Sequence, residues 1–142
     1  MRFWDSSAIV PLFNAEPRTT EAEAWLKTDP AMTVWSLTRV EVLSALSRRR
    51  RERALSDDEF NIARHELDRA SQTWLQVTDF EKVCLEAERI VTTYPLRAAD
   101  ALQLGAALVA ADGEPETLEL VTLDRRLAEA AVREGFPVLG VR

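Results

Sequence analysis

Residues 2–13 read RFWDSSAIVPLF, and this short stretch decides which class of fold the chain adopts. Arg2 to Trp4 have the character of a strand, and Ala8 to Phe13 form a second apolar run almost directly after it. Asp5 stands between these two segments, both of which are predicted to be buried. Its position predicts either a helix cap or an acid kept for a function.

Short strand-like runs alternate with longer helical ones to the end of the chain. We predict strands over residues 2–4, 32–35, 74–77, 119–123 and 137–141. We predict helices over 6–14, 17–27, 37–53, 56–70, 80–93, 97–111 and 124–134, with Ser36 as a cap and SDDE at 56–59 as a capping box. This alternation is typical of an α/β domain with a mainly parallel sheet and helices on both faces.

The composition fits one compact domain that spans residues 1–142 and needs no disulfides. The formal net charge of -6 excludes a surface that is basic throughout, although a local basic patch remains open. Cys84 is the only cysteine, so an internal disulfide and a cysteine-based metal site are excluded, and we expect its side chain to be buried. Asp5 interrupts the apolar run that a signal peptide needs, and no segment is long and apolar enough to span a bilayer. We therefore expect a cytoplasmic protein with no membrane partner.

Four acids stand in surroundings that are otherwise apolar, or at junctions between strand and helix. They are Asp5, Glu41, Asp100 and Asp124. Each has a structural explanation: Asp5 and Asp124 as helix caps, Asp100 as a first-turn acid, and Glu41 as a solvated residue at the edge of a helix face. Because ligands of parallel sheets bind beyond the carboxyl ends of the strands, Asp5 and Asp124 are expected at one edge. Four carboxylates that converge there would repel one another or recruit a cation.

An all-oxygen set of ligands selects a hard ion, Mg²⁺ or Mn²⁺, over zinc. The only histidine, His65, is flanked by Glu66 and Asp68 on a polar stretch, so we expect it at the surface. A Ser-His-Asp site and a histidine-rich metal site therefore have no support.

The four acids also stand in distinctive local sequences. These are DSSAIV at 5–10, RVEVLSAL at 39–46, AADALQLGAAL at 98–108, and TLDRRLAEAA at 122–131 followed by GFPVL. In spacing and local sequence they resemble the PIN-domain ribonucleases, and in particular the VapC-type toxins of type II toxin–antitoxin (VapBC) systems. The resemblance covers nearly the whole chain, from Met1 to Leu139.

This resemblance implies a PIN-like three-layer α/β/α fold with four to five central strands, and an endoribonuclease that depends on Mg²⁺ or Mn²⁺. RNA phosphodiesters would be hydrolysed by water that the metal activates. Asp5 and Asp100 would be the principal metal ligands, and Glu41 and Asp124 would complete the acidic site. Ser7 and Thr122 match small hydroxyl positions beside the first and last acids, where they could orient carboxylates or water.

The resemblance also implies partners. Besides the RNA substrate, it implies a VapB-like antitoxin that packs on the helices around residues 36–70, and a homodimer. Arginine suits phosphate, so Arg39, Arg97, Arg125 and Arg126 are candidate contacts to RNA. The tract at 48–53 could contact phosphate or be a solvated helix end. Many family members carry an acid where this chain has Arg126. The number of metal ions in the site, one or two, is therefore left open.

Two other functions compete with a nuclease. A receiver-like domain also clusters aspartates at the end of a parallel sheet, and such domains carry a lysine near the last strand. The only lysines of this chain, Lys27 and Lys82, are not placed there. A catalytically inactive PIN module that acts only by binding would be favoured by loss of one acid, and none is lost.

Overall fold

A computed structural model describes residues 1–141 of the chain. Its five strands are β1 (Arg2–Trp4), β2 (Met32–Trp35), β3 (Leu75–Val77), β4 (Glu119–Thr122) and β5 (Val138–Gly140). They form one sheet in the order β3-β2-β1-β4-β5, and every neighbouring pair is parallel. The predicted parallel sheet of the α/β class is confirmed.

Seven α-helices connect the strands within the described residues. They are α1 (Ser6–Phe13), α2 (Thr19–Thr28), α3 (Thr38–Arg51), α4 (Asp57–Ala70), α5 (Phe80–Thr93), α6 (Ala98–Ala111) and α7 (Arg125–Arg133). Short 3₁₀ turns follow α4 and α6. In residues 1–141, every helix is too short or too polar to cross a bilayer.

Strand β1 lies at the centre of the sheet, and its two aromatic residues divide the core between the two faces. Side chains alternate across a strand, and Phe3 and Trp4, both 0% exposed, belong to different hydrophobic clusters. Phe3 packs in the cluster that α5, α6 and α7 supply. Trp4 packs with residues of α1, α3 and α4. A strand covered on both faces explains why the successive residues Phe3 and Trp4 are both apolar, without polar alternation.

Helix α6 packs closely against α5 because Gly105 has no side chain. A Cβ at this position would lie 2.9 Å from the Val83 carbonyl oxygen and 3.1 Å from the Ala87 nitrogen. The middle of α6 is buried, as its nearly uniform apolar character predicts. Its first turn, however, is exposed at Ala98 and Ala99, so Asp100 is half-buried at the end of an otherwise buried helix.

Several local predictions need correction. Ser36 does not cap α3, since the helix begins at Thr38 after Leu37 and the Ser36 hydroxyl donates to the Val77 carbonyl of β3 instead. Cys84 is half-buried rather than buried. The second helix begins two residues later than its proline suggested, at Thr19. The capping box at Ser56 and Glu59 is confirmed, with both reciprocal hydrogen bonds present.

Candidate active site

Two of the four acids follow neighbouring strands at the carboxyl edge of the sheet. Asp5 comes directly after β1, and its backbone nitrogen donates to the Val121 carbonyl of β4 over 3.0 Å. Asp124 follows β4 after a single residue, Leu123. Each acid is also the N-cap of the next helix, since Asp5 accepts from Ser7 N at 3.3 Å and Asp124 from Leu127 N at 2.9 Å. Asp5 and Asp124 are therefore helix caps, and they also lie at the same edge of the sheet.

The carboxylate of Asp5 is held at one oxygen and left comparatively free at the other. The side chain is only 3% exposed. Its Oδ2 accepts hydrogen bonds from the Ser7 hydroxyl, from Ser7 N and, at 2.9 Å, from Thr122 Oγ1. Its Oδ1 has a single long contact, 3.4 Å from Ser6 Oγ. Burial raises the pKa of Asp5, while the bonds from Ser7 and Thr122 oppose that rise.

Ser7 and Thr122 form a small hydroxyl network that joins the ends of β1 and β4. The two hydroxyl oxygens are 3.2 Å apart. Leu123 N donates to Ser7 Oγ over 2.9 Å, and Asp124 N donates to Thr122 Oγ1 over 3.0 Å. The network thus fixes the position of Asp5 and the backbone of Asp124 together.

Glu41 reaches the same region from α3. Its Oε2 accepts from Ser6 Oγ at 2.8 Å, and its Oε1 accepts from Gln103 Nε2 at 3.3 Å. Burial raises the pKa of Glu41, the bonds from Ser6 and Gln103 oppose the rise, and the charges of Asp5 and Asp100 add to it. The half-buried side chain is therefore more than a solvated residue at a helix edge.

Sequence reasoning missed Ser6 and Gln103 as members of the site. Gln103 is 1% exposed, and its Nε2 also donates to Thr38 Oγ1 over 3.1 Å. Its Oε1 is buried without a hydrogen-bond partner. A single amide in the apolar run of α6 is a signal that could have identified it, because an amide is seldom buried without a partner.

Asp100 occupies the first turn of α6, next to the other acids. Burial raises its pKa to about 6, and the charges of Asp124 and Asp5 act in the same direction. The positive charges of Arg97 and Arg126 oppose the rise, so both guanidinium groups are electrostatically close to this carboxylate. Asp100 therefore has two cationic neighbours.

All four acids line one cavity of about 410 Å³, which we call the acidic cavity; Ser6, Ser7, Ser44 and Arg48 also contribute to its wall. A second cavity of about 670 Å³ adjoins it, and we call this one the basic cavity. Asp100 and Asp124 belong to both, and Pro95, Arg97, Arg125 and Arg126 line the basic cavity alone. The sequence-predicted acids are thus brought together around one space.

The donors around the acidic cavity fit a hard divalent cation by their chemistry. They are carboxylates and hydroxyls, with no sulfur or imidazole among them. No three His, Cys, Asp or Glu side chains in residues 1–141 are placed closely enough to hold an ion together. This arrangement suits Mg²⁺, which is commonly bound through one or two carboxylates and keeps several of its waters.

The candidate arginines do not form a single group. Arg97, Arg125 and Arg126 line the basic cavity, whereas Arg39 pairs with Asp68 on α4 and lines neither cavity. Two arginines of the tract have partners within the domain: Arg49 pairs with Glu16, and Arg50 lies 3.9 Å above the centre of the Phe60 ring. Arg48 alone of the tract reaches the acidic cavity.

A family model described as the PIN domain matches residues 2–133. Among solved structures, a toxin–antitoxin complex from Klebsiella pneumoniae matches with a TM-score of 0.67 and 19% identity, over 100% of this chain and 96% of that one. FitAcB from Neisseria gonorrhoeae matches with a TM-score of 0.66 and 16% identity, over 98% and 96%. PAE2754 from Pyrobaculum aerophilum matches with a TM-score of 0.60 and 22% identity, over 91% and 78%. A comparison with curated proteins finds no match. At these identities the solved structures establish a shared fold.

Proposed function

The chain belongs to the PIN-domain family, and from that premise we propose that it is an endoribonuclease that depends on Mg²⁺ or Mn²⁺ and serves as the toxin of a type II toxin–antitoxin pair in the cytoplasm. PIN domains are generally nucleases and typically use divalent metal ions. The observation that carries the proposal is the acidic cavity, in which four carboxylates from four separate elements meet at the carboxyl edge of the sheet.

The distribution of roles among the acids follows from their surroundings. Asp5 offers Oδ1 as a ligand because hydroxyls already hold its Oδ2. Asp100 stands opposite on α6 without a hydrogen bond to any donor in residues 1–141, so its carboxylate is free to bind a cation. We propose these two residues as the principal metal ligands, with Glu41 and Asp124 completing the acidic site through waters that the ion keeps.

A bound divalent ion would neutralise phosphate oxygens and make water a better nucleophile. The protein's own contribution is to fix that site and to accept a proton. Glu41 has a raised pKa and hydrogen bonds from Ser6 and Gln103 that hold its direction, so it is suited to take a proton from attacking water. Ser7 and Thr122 keep Asp5 from rotating, which preserves the geometry in which water and phosphate are aligned.

The antitoxin is proposed to pack on α3 and α4. One solved structure of similar fold is a toxin–antitoxin complex, and the α3 and α4 surface has exposed apolar side chains suited to a partner. Val40 on α3 is 63% exposed and Ile62 on α4 is 61% exposed. Val40 also lines the acidic cavity, so a partner on this surface would lie at the cavity entrance. The homodimer remains part of the proposal and can be tested by light scattering of the purified chain.

The decisive experiment is a nuclease assay on purified protein with structured RNA. Cleavage in Mg²⁺ or Mn²⁺, its loss in EDTA, and its loss in Asp5→Asn would support the proposal. Cleavage that persists in EDTA would contradict the metal-dependent mechanism. Induced expression that arrests growth only when Asp5 is intact would support the toxin role.

One alternative is a catalytically inactive PIN module that acts only by binding. In that case the purified protein would bind RNA or a partner but would leave RNA intact with either metal. The receiver-like alternative does not agree with the family assignment. Lys82 in addition lies on α5, where it pairs with Asp79 at 3.6 Å.

A further inference from the structure

The basic cavity is formed where two helices begin. Arg97 is the N-cap residue of α6, whose cap lacks a side-chain hydrogen bond, and Arg125 is the first residue of α7. Backbone N–H groups at a helix start favour anions, and here three guanidinium groups add to that preference. The combination of cavity, arginines and helix starts makes this space suited to phosphate.

The three arginines of the basic cavity form no ion pair within the described part of the chain, although the charges of Arg97 and Arg126 act on the nearby Asp100 carboxylate. The ion pairs found in residues 1–141 involve Met1, Lys82 and five other arginines, at positions 2, 18, 39, 49 and 89. Arg97, Arg125 and Arg126 are exposed. Their charges are therefore available to a ligand, unlike that of Arg49, which Glu16 already neutralises.

The basic cavity shares Asp100 and Asp124 with the acidic cavity. A phosphate in the basic cavity would therefore be directly adjacent to one at the four acids. The two acids would repel an anion when alone, so occupancy of the basic cavity depends on the cation that the proposed function assigns to them.

A narrow groove of about 110 Å³ continues from the basic cavity along α7. Arg126 lines both spaces, and Tyr94, Pro95, Glu129 and Arg133 are among the other residues of the groove. The Tyr94 hydroxyl donates to Glu134 Oε2 over 3.1 Å, which fixes the ring at the wall. An aromatic ring and a second cation beyond the first phosphate position suit a single-stranded nucleic acid, whose bases stack on such rings.

We propose that the basic cavity binds the phosphate next to the scissile one in single-stranded RNA, with Arg97 and Arg126 as its main contacts. The strand then leaves the acidic cavity on the side of α6 and α7, opposite the α3 and α4 surface. This inference deepens the proposed function and rests on it.

The test is binding of a fluorescein-labelled single-stranded RNA of twelve nucleotides, followed by anisotropy over a range of salt concentrations in Mg²⁺. All proteins carry Glu41→Gln, so that RNA is not cut during titration. Glu41 does not line the basic cavity, and this change leaves Asp5 and Asp100 in place to hold Mg²⁺. Each phosphate that the protein neutralises contributes roughly 0.7 to the slope of log K against log salt for single strands. Because Arg97 and Arg126 contact the same phosphate, we expect the double variant to reduce that slope by about 0.7, and each single variant to reduce it by less. Arg64→Gln is the matched control, because Arg64 is an exposed arginine of α4 that lines neither cavity and pairs with no acid in residues 1–141.

A second probe replaces single phosphates of the same RNA by neutral methylphosphonates. At one position in the RNA, a methylphosphonate should weaken binding to the parent protein. The same methylphosphonate should leave binding to the double variant Arg97→Gln/Arg126→Gln unchanged. Equal slopes for the double variant and the control would overturn the phosphate subsite. It would also be overturned if the double variant no longer bound the antitoxin but still bound RNA like the parent. If the double variant binds like the parent while the unsubstituted protein still cuts RNA, the subsite fails and the nuclease stands. If the unsubstituted protein neither binds nor cuts RNA, both fail.

Discussion

Thr122 Oγ1 donates a hydrogen bond of 2.9 Å to Oδ2 of Asp5, across 117 residues of sequence. Thr122 is 0% exposed and Asp5 is 3% exposed, so the bond is shielded from water. The same hydroxyl accepts from Asp124 N at 3.0 Å. The orientation of the first acid is therefore controlled by the last residue of β4.

We expect Thr122→Val to lower RNA cleavage by roughly 10- to 100-fold while the fold persists, because partners that orient metal ligands commonly have effects of this size. Valine keeps the shape of threonine but lacks the hydroxyl that holds Asp5. Cleavage rate and Mn²⁺ affinity by calorimetry are the measurements. Thr33→Val is the control, since Thr33 is a buried threonine of β2, on the other side of β1, and its Oγ1 has no partner. Equal activities of the two variants would mean that Thr122 is only a packing residue.

Asp5→Asn should abolish cleavage and leave the domain folded. The asparagine oxygen can accept the bonds from Ser7 and Thr122, whereas the charge that a cation needs is lost. Because burial and the Asp124 charge raise the pKa of Asp5, removal of its charge should keep the melting temperature equal or higher in metal-free buffer. Thermal melts with and without Mg²⁺ check both statements. A collapsed fold would make Asp5 a structural cap above all.

The junctions at Asp5 and Asp124 could be predicted from sequence because they are local. A strand, an acid and a helix follow one another within a few residues, and parallel topology brings two such junctions to one edge. The sheet and most helix positions follow from the same periodicity. The convergence of Glu41 and Asp100 on this edge was an expectation, and their placement depends on how α3 and α6 pack.

Other features depended on partners far away in sequence. Ser36 has the character of a helix cap, yet its hydroxyl bonds to the Val77 carbonyl, because the neighbouring strand offers a better-placed acceptor. The arginine tract has the composition of a basic patch, yet Glu16 and the Phe60 ring engage two of its members. The basic cavity exists only because α6 and α7 begin side by side, which no local pattern specifies.

Asp100→Asn should make the stability of the metal-free protein less dependent on pH. The pKa of Asp100 is raised from 3.8 to about 6, so between these values the native state binds more protons than the unfolded state. Stability from this group is fully present below pH 3.8 and is lost as the pH rises through about 6. The variant should therefore melt higher than the parent above pH 6 and equally at pH 4.

The control for this prediction is Asp57→Asn, an exposed acid in the first turn of α4. It tests the loss of a favourable charge at a helix start and should lower the melting temperature slightly or not at all. Added Mg²⁺ should reduce or reverse the advantage of Asp100→Asn, because the parent gains the bound ion. A difference in melting temperature between Asp100→Asn and the parent that is the same at pH 4 and pH 8 would contradict the raised pKa of Asp100.

Gln103→Leu should impair cleavage by about tenfold through Glu41, with little change in stability. Gln103 is buried, and its Nε2 donates to Glu41 Oε1 at 3.3 Å and to Thr38 Oγ1 at 3.1 Å, while its Oε1 is unpaired. Leucine removes an unpaired polar atom but also the donor that holds Glu41, so the two effects on stability oppose each other.

The loss of that donor should raise the pKa of Glu41 further, because the bond from Gln103 is one of the two that lower it. The acidic limb of the profile of kcat/KM against pH should therefore move to higher pH. Thr38→Val is the matched control, since it removes the other partner of Gln103 and leaves the contact to Glu41 in place. Its profile should match that of the parent. If both variants shift the profile equally, Gln103 acts by packing α6 against α3 and has no separate role in positioning Glu41.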